Sequence, residues 1–309
     1  MVLIAGQVIS FFENANQMAI PNRTRVQLQS EGISDPSDLV DFDSDGINRI
    51  SNNIRKPGGR VPDPDPNAAP GSTIPAPPFV FGAKSQMRLA SACDLVRYYE
   101  MVGRVITVDN IRWNPVIKNF KKQWESLKKR EKDENSIETP KISKSLPIIK
   151  WSEAFIDFLN RVIGTRMVPL AYVVRDDVVP GTPLPALAAD SPHSEVYGSI
   201  EAEMVARVSH ADPLYRDDNA KVYYYLEEAT RDTSYTASIK PYQRGKNGRY
   251  SWLSLVRKNA GKDKWDLEIK KNDEFLHDRQ WKGQSNSPYQ ILHSNMEMLM
   301  FLWNNVLNM

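Results

Sequence analysis

The sequence holds a single cysteine, Cys93, among its 309 residues. An intrachain disulfide, a zinc knuckle and a cysteine-ligated iron–sulfur site are therefore excluded within it. The four histidines, His193, His210, His277 and His293, show neither HExxH nor H-x(3–5)-H spacing, and none neighbours the cysteine. GxxxxGK[ST], GxGxxG and GxSxG are all missing, and no serine–histidine–aspartate set suggests itself. No apolar run reaches the roughly 18 residues that a spanning helix needs. Net charge is small too, at +2, so any attraction to nucleic acid must come from local patches rather than a global field. What is present is average for a globular chain: 41% hydrophobic and 25% charged residues, which excludes wholesale disorder. The lone cysteine points to a reducing compartment. A cytoplasmic protein without membrane contact is expected, with no enzymatic activity and no cofactor.

The N-terminal MVLIAGQVISFF lacks a basic start and a small-residue cleavage site, so it reads as a first helix rather than a signal peptide. Residues 1–57 form a small helical domain in this reading. Within it GISDPSDL opens a helix, capped by Ser34 or Asp35, with Pro36 in the first turn. Residues 58–82 are dense in proline and glycine and read as an extended, semi-rigid linker. Apolar residues then recur at helical spacing. Leu89, Ala92/Cys93, Val96 and Tyr99 make one stripe; Val116/Ile117, Phe120, Trp124 and Leu127 make another, within a helical segment at 83–135. A charged joint at 136–146 precedes a third stripe, Trp151, Phe155, Phe158/Leu159 and Val162/Ile163, which opens a helical domain at 147–286. Further helices are predicted near Val196–Val208, Ala220–Thr230, Tyr250–Ala260 and Lys262–Arg279. The last places Trp265, Ile269, Asn272 and Phe275/Leu276 on one face. Period-two alternation is scarce, so the fold class is all-α: a small helical unit, a linker and a helical bundle. The core of its C-terminal half is expected to rest on Trp252, Leu255, Trp265, Leu276 and Trp281.

Three features invite a chemical reading that their surroundings oppose. DFDSDG, from Asp41 to Gly46, copies the first half of a calcium loop. Asn48 and Asn52 then occupy positions eight and twelve, where an apolar residue and a bidentate glutamate belong. A helix-capping turn explains the three aspartates, and no calcium binding at cellular levels is expected. Cys93 lies on an apolar stripe, as a buried small side chain would. The run Tyr223-Tyr224-Tyr225 spans most of a helix circumference, so its three rings cannot form one platform.

Basic residues cluster three times: Lys118/Lys121/Lys122/Lys128/Lys129/Arg130, Lys240/Arg244/Lys246/Arg249, and Arg257/Lys258/Lys262/Lys264. Acids interleave with the first cluster. The second lies in the nearly acid-free loop KPYQRGKNGR, which suits phosphate contact. Lys240, Arg244, Lys246 and Arg249 are therefore the candidate RNA-phosphate contacts.

A series of longer blocks carries more information than any short motif. It begins with EGISDPSDLVDFD, NNIRKPGGRVPDPDP and PPFVFGAKSQMRLASACDLVRYYE. ISKSLPIIKWSEAFIDFLNRVIGTRMVPLAYVVRDDVVP follows, then YGSIEAEMVARVSHADPLYRDDNAKVYYYLEEATRDTSYTASIKPYQR. GRYSWLSLV, DKWDLEIKK and LHDRQWKGQSN complete it. In order and spacing these blocks resemble the Gag region of copia-type LTR retrotransposon polyproteins of diatoms and other microalgae. Ser251-Trp252 and Leu255 match that family's Trp-x-x-Leu helix. The resemblance implies a capsid-like helical protein that associates with itself and packages element RNA.

Asn259 departs from the aromatic residue usual before Ala-Gly. After Asn286 the family continues with a long amphipathic helix, further helices and commonly a zinc knuckle. Here an apolar tail, 287–309, stands in their place. With codons freely chosen, a shifted frame of this tail reads like the family helix, so a truncated, inactive copy is expected. The rival reading is a host nucleic-acid-binding protein derived from Gag that acts without assembly.

Overall fold

The computed structural model describes residues 5–54, 60–62, 65–67, 69–75, 79–132, 137–143, 146, 148–177, 182–211, 213–259, 266–267, 269–271 and 274. Helix accounts for 62% of it and strand for 3%, so the protein is all-α, as the spacing of its apolar residues predicts. The chain divides into two compact units. One comprises Met1–Asp133 with Arg166–Ala211, the other Glu134–Thr165 with Asp212–Met309.

In the first unit, α1 (Ala5–Glu13) and α2 (Asn22–Ser30) pack together, burying Phe11, Phe12 and Leu28. GISDPSDL opens a helix as expected, a short 3-10 helix at Pro36–Asp41 with Pro36 in its first turn. Asp35 does cap it, accepting from the Ser37 amide, while the Asp38 carboxylate turns back to the Ser34 and Asp35 amides at 2.7 Å each. With those amides satisfied locally, the turn ends at an extended Phe42. A new helix, α3 (Ser44–Asn53), then starts under the Asp43 cap.

Among the described residues of the stretch expected as a linker, turns occur at 66–67 and 70–71 and two short segments pair. β1 (Arg60–Pro62) and β2 (Thr73–Pro75) form a two-stranded antiparallel ribbon with Val61 opposite Ile74. The Arg60 guanidinium fastens it, donating to the Thr73 hydroxyl at 2.8 Å and the Thr73 carbonyl at 3.1 Å.

The long α4 (Ala83–Met101) is the hub of this unit, packing against the 36–41 turn, α3 and the 113–117 segment. Its stripe Leu89, Cys93, Val96 and Tyr99 is fully buried, and Tyr98 is buried beside it. Tyr98 stacks toward Phe120 and Phe120 onto Trp124, both carried by α5 (Lys118–Lys132). The short α7 (Ala171–Val174) and α8 (Ile200–Arg207) complete the unit. The α8 helix starts four residues later than its apolar pattern suggests: Gly198 adopts φ +69° and Ser199 caps the Ala202 amide at 3.1 Å. A buried ion pair ties α8 to the segment after α4. Arg104 Nε donates to Glu203 at 2.6 Å, and the Ser194 amide donates to the other Glu203 oxygen at 3.2 Å.

The second unit is built on α6 (Ile148–Arg161), α9 (Pro213–Thr230), α10 (Thr236–Ile239) and α11 (Gly248–Asn259). Trp252 of α11 is the centre of an aromatic core. It stacks on Phe155 (centroids 5.6 Å, 19° between planes) and lies 6.0 Å from Trp151. Leu255, one helical turn on, is fully buried. Trp252 and Leu255 are thus core anchors, as their Trp-x-x-Leu spacing suggests. Trp265, Leu276 and Trp281 lie outside the described residues. Where described, positions 266–271 are helical, in line with the helix expected at Lys262–Arg279.

The α9 helix begins at Pro213 rather than near Ala220. Its face Val222, Tyr223, Leu226 and Ala229 is buried. The tyrosine run divides around the helix, with Tyr223 buried and Tyr224 about half exposed.

Candidate nucleic-acid interface

The candidate surface lies at the junction of α9 and α11, and a glycine decides its geometry. A Cβ on Gly248 would sit 2.5 Å from the Asn219 carbonyl oxygen, 2.7 Å from the Tyr223 nitrogen and 2.8 Å from the Val222 Cβ. Only a residue without a side chain lets the start of α11 lie this close to α9. Around that contact the side chains interlock. Asn219 accepts from the Arg249 amide at 2.8 Å and donates to the Asn247 side chain at 3.2 Å. Asn247 in turn accepts from the Tyr250 amide at 3.1 Å, capping the helix. The segment before α11 is a 3-10 turn, Lys240–Tyr242, followed by tight turns rather than an open loop.

On this base Lys240, Arg244 and Lys246 are exposed. None of the three is ion-paired among the described residues. No acid occurs between Asp232 and Asp263 to neutralise them. Arg249 is the correction to the sequence reading. It belongs to the first turn of α11 and its side chain is only 8% exposed, so it is held inside the unit and does not face solvent as a phosphate contact. Farther along α11, Arg257 and Lys258 are exposed and share a helical face with Tyr250 through i, i+7 and i+8 spacing.

Aromatic rings accompany the cations. Lys246 Nζ sits 4.9 Å from the centroid of the Tyr224 ring, within range for a cation–π contact. Lys246 itself has φ +46°, a left-handed conformation uncommon outside glycine, and its backbone is held there by an amide donated to the Gln243 carbonyl. Tyr242 and Tyr250 stack at 6.0 Å with 21° between planes. Tyr224 and Tyr250 are 48% and 57% exposed. No protein-family profile, curated protein or solved structure matches the chain.

The other basic cluster has a different character. Along α5, Lys121 pairs with Glu125 at 3.6 Å, Lys128 with Asp94 at 3.1 Å, and Arg130 with Glu201. Half of that cluster is thus already matched with acids, whereas the 240–246 segment offers its charges unmatched.

The remaining chemistry-bearing groups are committed to structure. Burial pushes the Cys93 thiol up to about 12, with Asp94 adding to the effect, so the thiolate nucleophile is suppressed. Asp43 accepts the Gly46 amide at 2.6 Å, and this bond holds its carboxyl below the usual range; DFDSDG is a helix cap. No cluster of metal-binding side chains occurs among the described residues. His193 and His210 bond to the carbonyls of Ser194 and Tyr172, while His277 and His293 lie outside the described residues. A cavity of about 390 Å³ in the first unit is lined by Val40, Arg97, Met101, Trp124 and the Asp94–Lys128 pair, without a nucleophile beside a base. Among the described residues no helix is long and apolar enough to cross a membrane.

Sequence reasoning found the basic segment from its lack of acids. Tyr242 lies within that segment in sequence, but Tyr224 and Tyr250 were missed, because Tyr224 sits in a run that cannot form one platform and Tyr250 falls on the helix that follows. The signal available was Asn247-Gly248 directly before a helix, which marks a tight junction.

Proposed function

We propose that the protein is a Gag-like structural protein of a retrotransposon that associates with itself and binds RNA for packaging. The observation that supports RNA binding is the cationic segment Lys240–Lys246: exposed, unmatched by acids and held on a rigid junction. The order of the sequence blocks and the all-α architecture supply the Gag-like part of the reading. A protein with little net charge needs such a patch, because phosphate neutralisation requires local cations.

The test measures affinity for RNA across graded salt concentrations, beside sedimentation and negative-stain microscopy of the same preparation. Binding should weaken steeply with salt. Replacing Lys240, Arg244 and Lys246 with alanine should flatten the slope by about 2 log units per log unit of salt, the value for three phosphates on a single strand. An unchanged slope would move the contact elsewhere, first to the α5 helix. Salt-sensitive binding by a protein that stays monomeric would favour the host-protein alternative over a shell subunit.

A further inference from the structure

We infer that the surface formed by Tyr224, Tyr242 and Tyr250 with Lys240, Arg244 and Lys246 selects unpaired over paired RNA by base stacking; this rests on the RNA-binding reading above. The two residue types do different work. A lysine or arginine neutralises a phosphate on any strand, so the cations alone give affinity without strand preference. A tyrosine ring gains only from a base whose face is free. In a duplex each base face is covered by its neighbours, and the deep, narrow major groove admits no ring; in an unpaired strand the faces are open.

The observations favour rings placed for use over rings merely left at the surface. Tyr224 and Tyr250 each keep about half of their surface in water although both belong to helices that pack tightly at their other faces. Tyr250 is stacked on Tyr242, which fixes its plane, and it still keeps 57% of its surface exposed. Tyr224 is positioned by the Lys246 ammonium, and Lys246 reaches it from a left-handed backbone conformation. Such conformations persist only where the surroundings enforce them. Here Lys246 is held by its amide bond to the Gln243 carbonyl, and the Asn247 amide closes the same turn on the Tyr242 carbonyl. The Tyr242–Tyr250 pair and the Tyr224–Lys246 pair are therefore positioned before binding, which lowers the entropy lost when a strand docks. Arg257 and Lys258 extend the cationic track along the outer face of α11.

The experiment uses fluorescence anisotropy on the full chain with a labelled unpaired oligoribonucleotide and the same strand annealed to its complement, at matched salt. The wild type should bind the unpaired form more tightly. Tyr224→Ala combined with Tyr250→Ala should weaken binding of the unpaired strand about tenfold, the loss expected for roughly one stacked base. Duplex binding and the salt slope should stay unchanged, and Tyr→Phe at both positions should restore the preference. Circular dichroism confirms that the variants are folded. Equal affinity of the wild type for both forms, or unpaired-strand affinity insensitive to the tyrosine changes, would overturn the stacking inference while leaving RNA binding intact. Failure of the wild type to bind either form would overturn both.

Discussion

Replacing Gly248 with alanine adds one methyl group and should destabilise the second unit. Two effects oppose each other. Alanine is the better helix former and restricts the unfolded chain, together worth about 0.5–1 kcal/mol in its favour. Against this, the new Cβ would meet the Asn219 carbonyl at 2.5 Å and the Tyr223 nitrogen at 2.7 Å. Both are backbone atoms of a continuous helix, so neither can rotate away as a side-chain tip would. The start of α11 must move off α9, stretching the bonds from Asn219 to Arg249 and Asn247. Overpacking of this kind costs about 1–3 kcal/mol and occasionally more. The clash wins, and the net loss should be about 1–2 kcal/mol, with Gly248→Val worse.

Gly245 provides the internal control. Nothing lies within 4 Å of its would-be Cβ. Gly245→Ala should therefore be neutral or stabilising by up to about 1 kcal/mol. Urea unfolding followed by circular dichroism reads both through the midpoint at constant slope. A Gly248→Ala protein as stable as the wild type would refute the close α9–α11 approach, and with it the rigid seat of the cationic segment.

Trp252→Ala should cost about 3–5 kcal/mol, because it removes a buried ring that stacks on Phe155 and meets Trp151 at a tilt; a thermal melt shifted by only a degree or two would contradict it. Arg104→Ala should cost about 3–5 kcal/mol by stranding the Glu203 carboxylate, which is 0% exposed. Joint replacement by Arg104→Met and Glu203→Leu should lose less, and the reverse order in denaturant titrations would show that the pair is not what Arg104 contributes. Asp43 titrates low in the folded protein, so its cap is intact above the ordinary carboxylate range and fails as pH falls through the lowered value. The Gly46 amide resonance should report that step below the usual aspartate pKa, and a step at the ordinary value would refute the cap.

The sequence determined the helices because their signal is local. Apolar residues at 89, 93, 96 and 99, or at 151, 155, 158 and 162, can share a face only if the backbone winds at 3.6 residues per turn, and all are buried. It likewise marked DFDSDG as a helix-capping turn and Trp252 with Leu255 as core, since each depends on neighbours a few positions away. It placed the start of α8 four residues early, where a left-handed glycine competes with apolar spacing.

Tertiary structure decided everything that depends on residues distant in sequence. Arg249 reads as one cation of four along the chain, yet it is buried within the unit while Lys240, Arg244 and Lys246 face water. The basic run on α5 looks richer, yet Asp94 and Glu201, brought in by other helices, neutralise part of it. Tyr224 meets Lys246 only because Gly248 lets two helices touch. Periodicity encodes which way a side chain points from its own helix. Which partner it meets there is set by the packing of helices on one another, and that packing turns a stretch of basic residues into a surface.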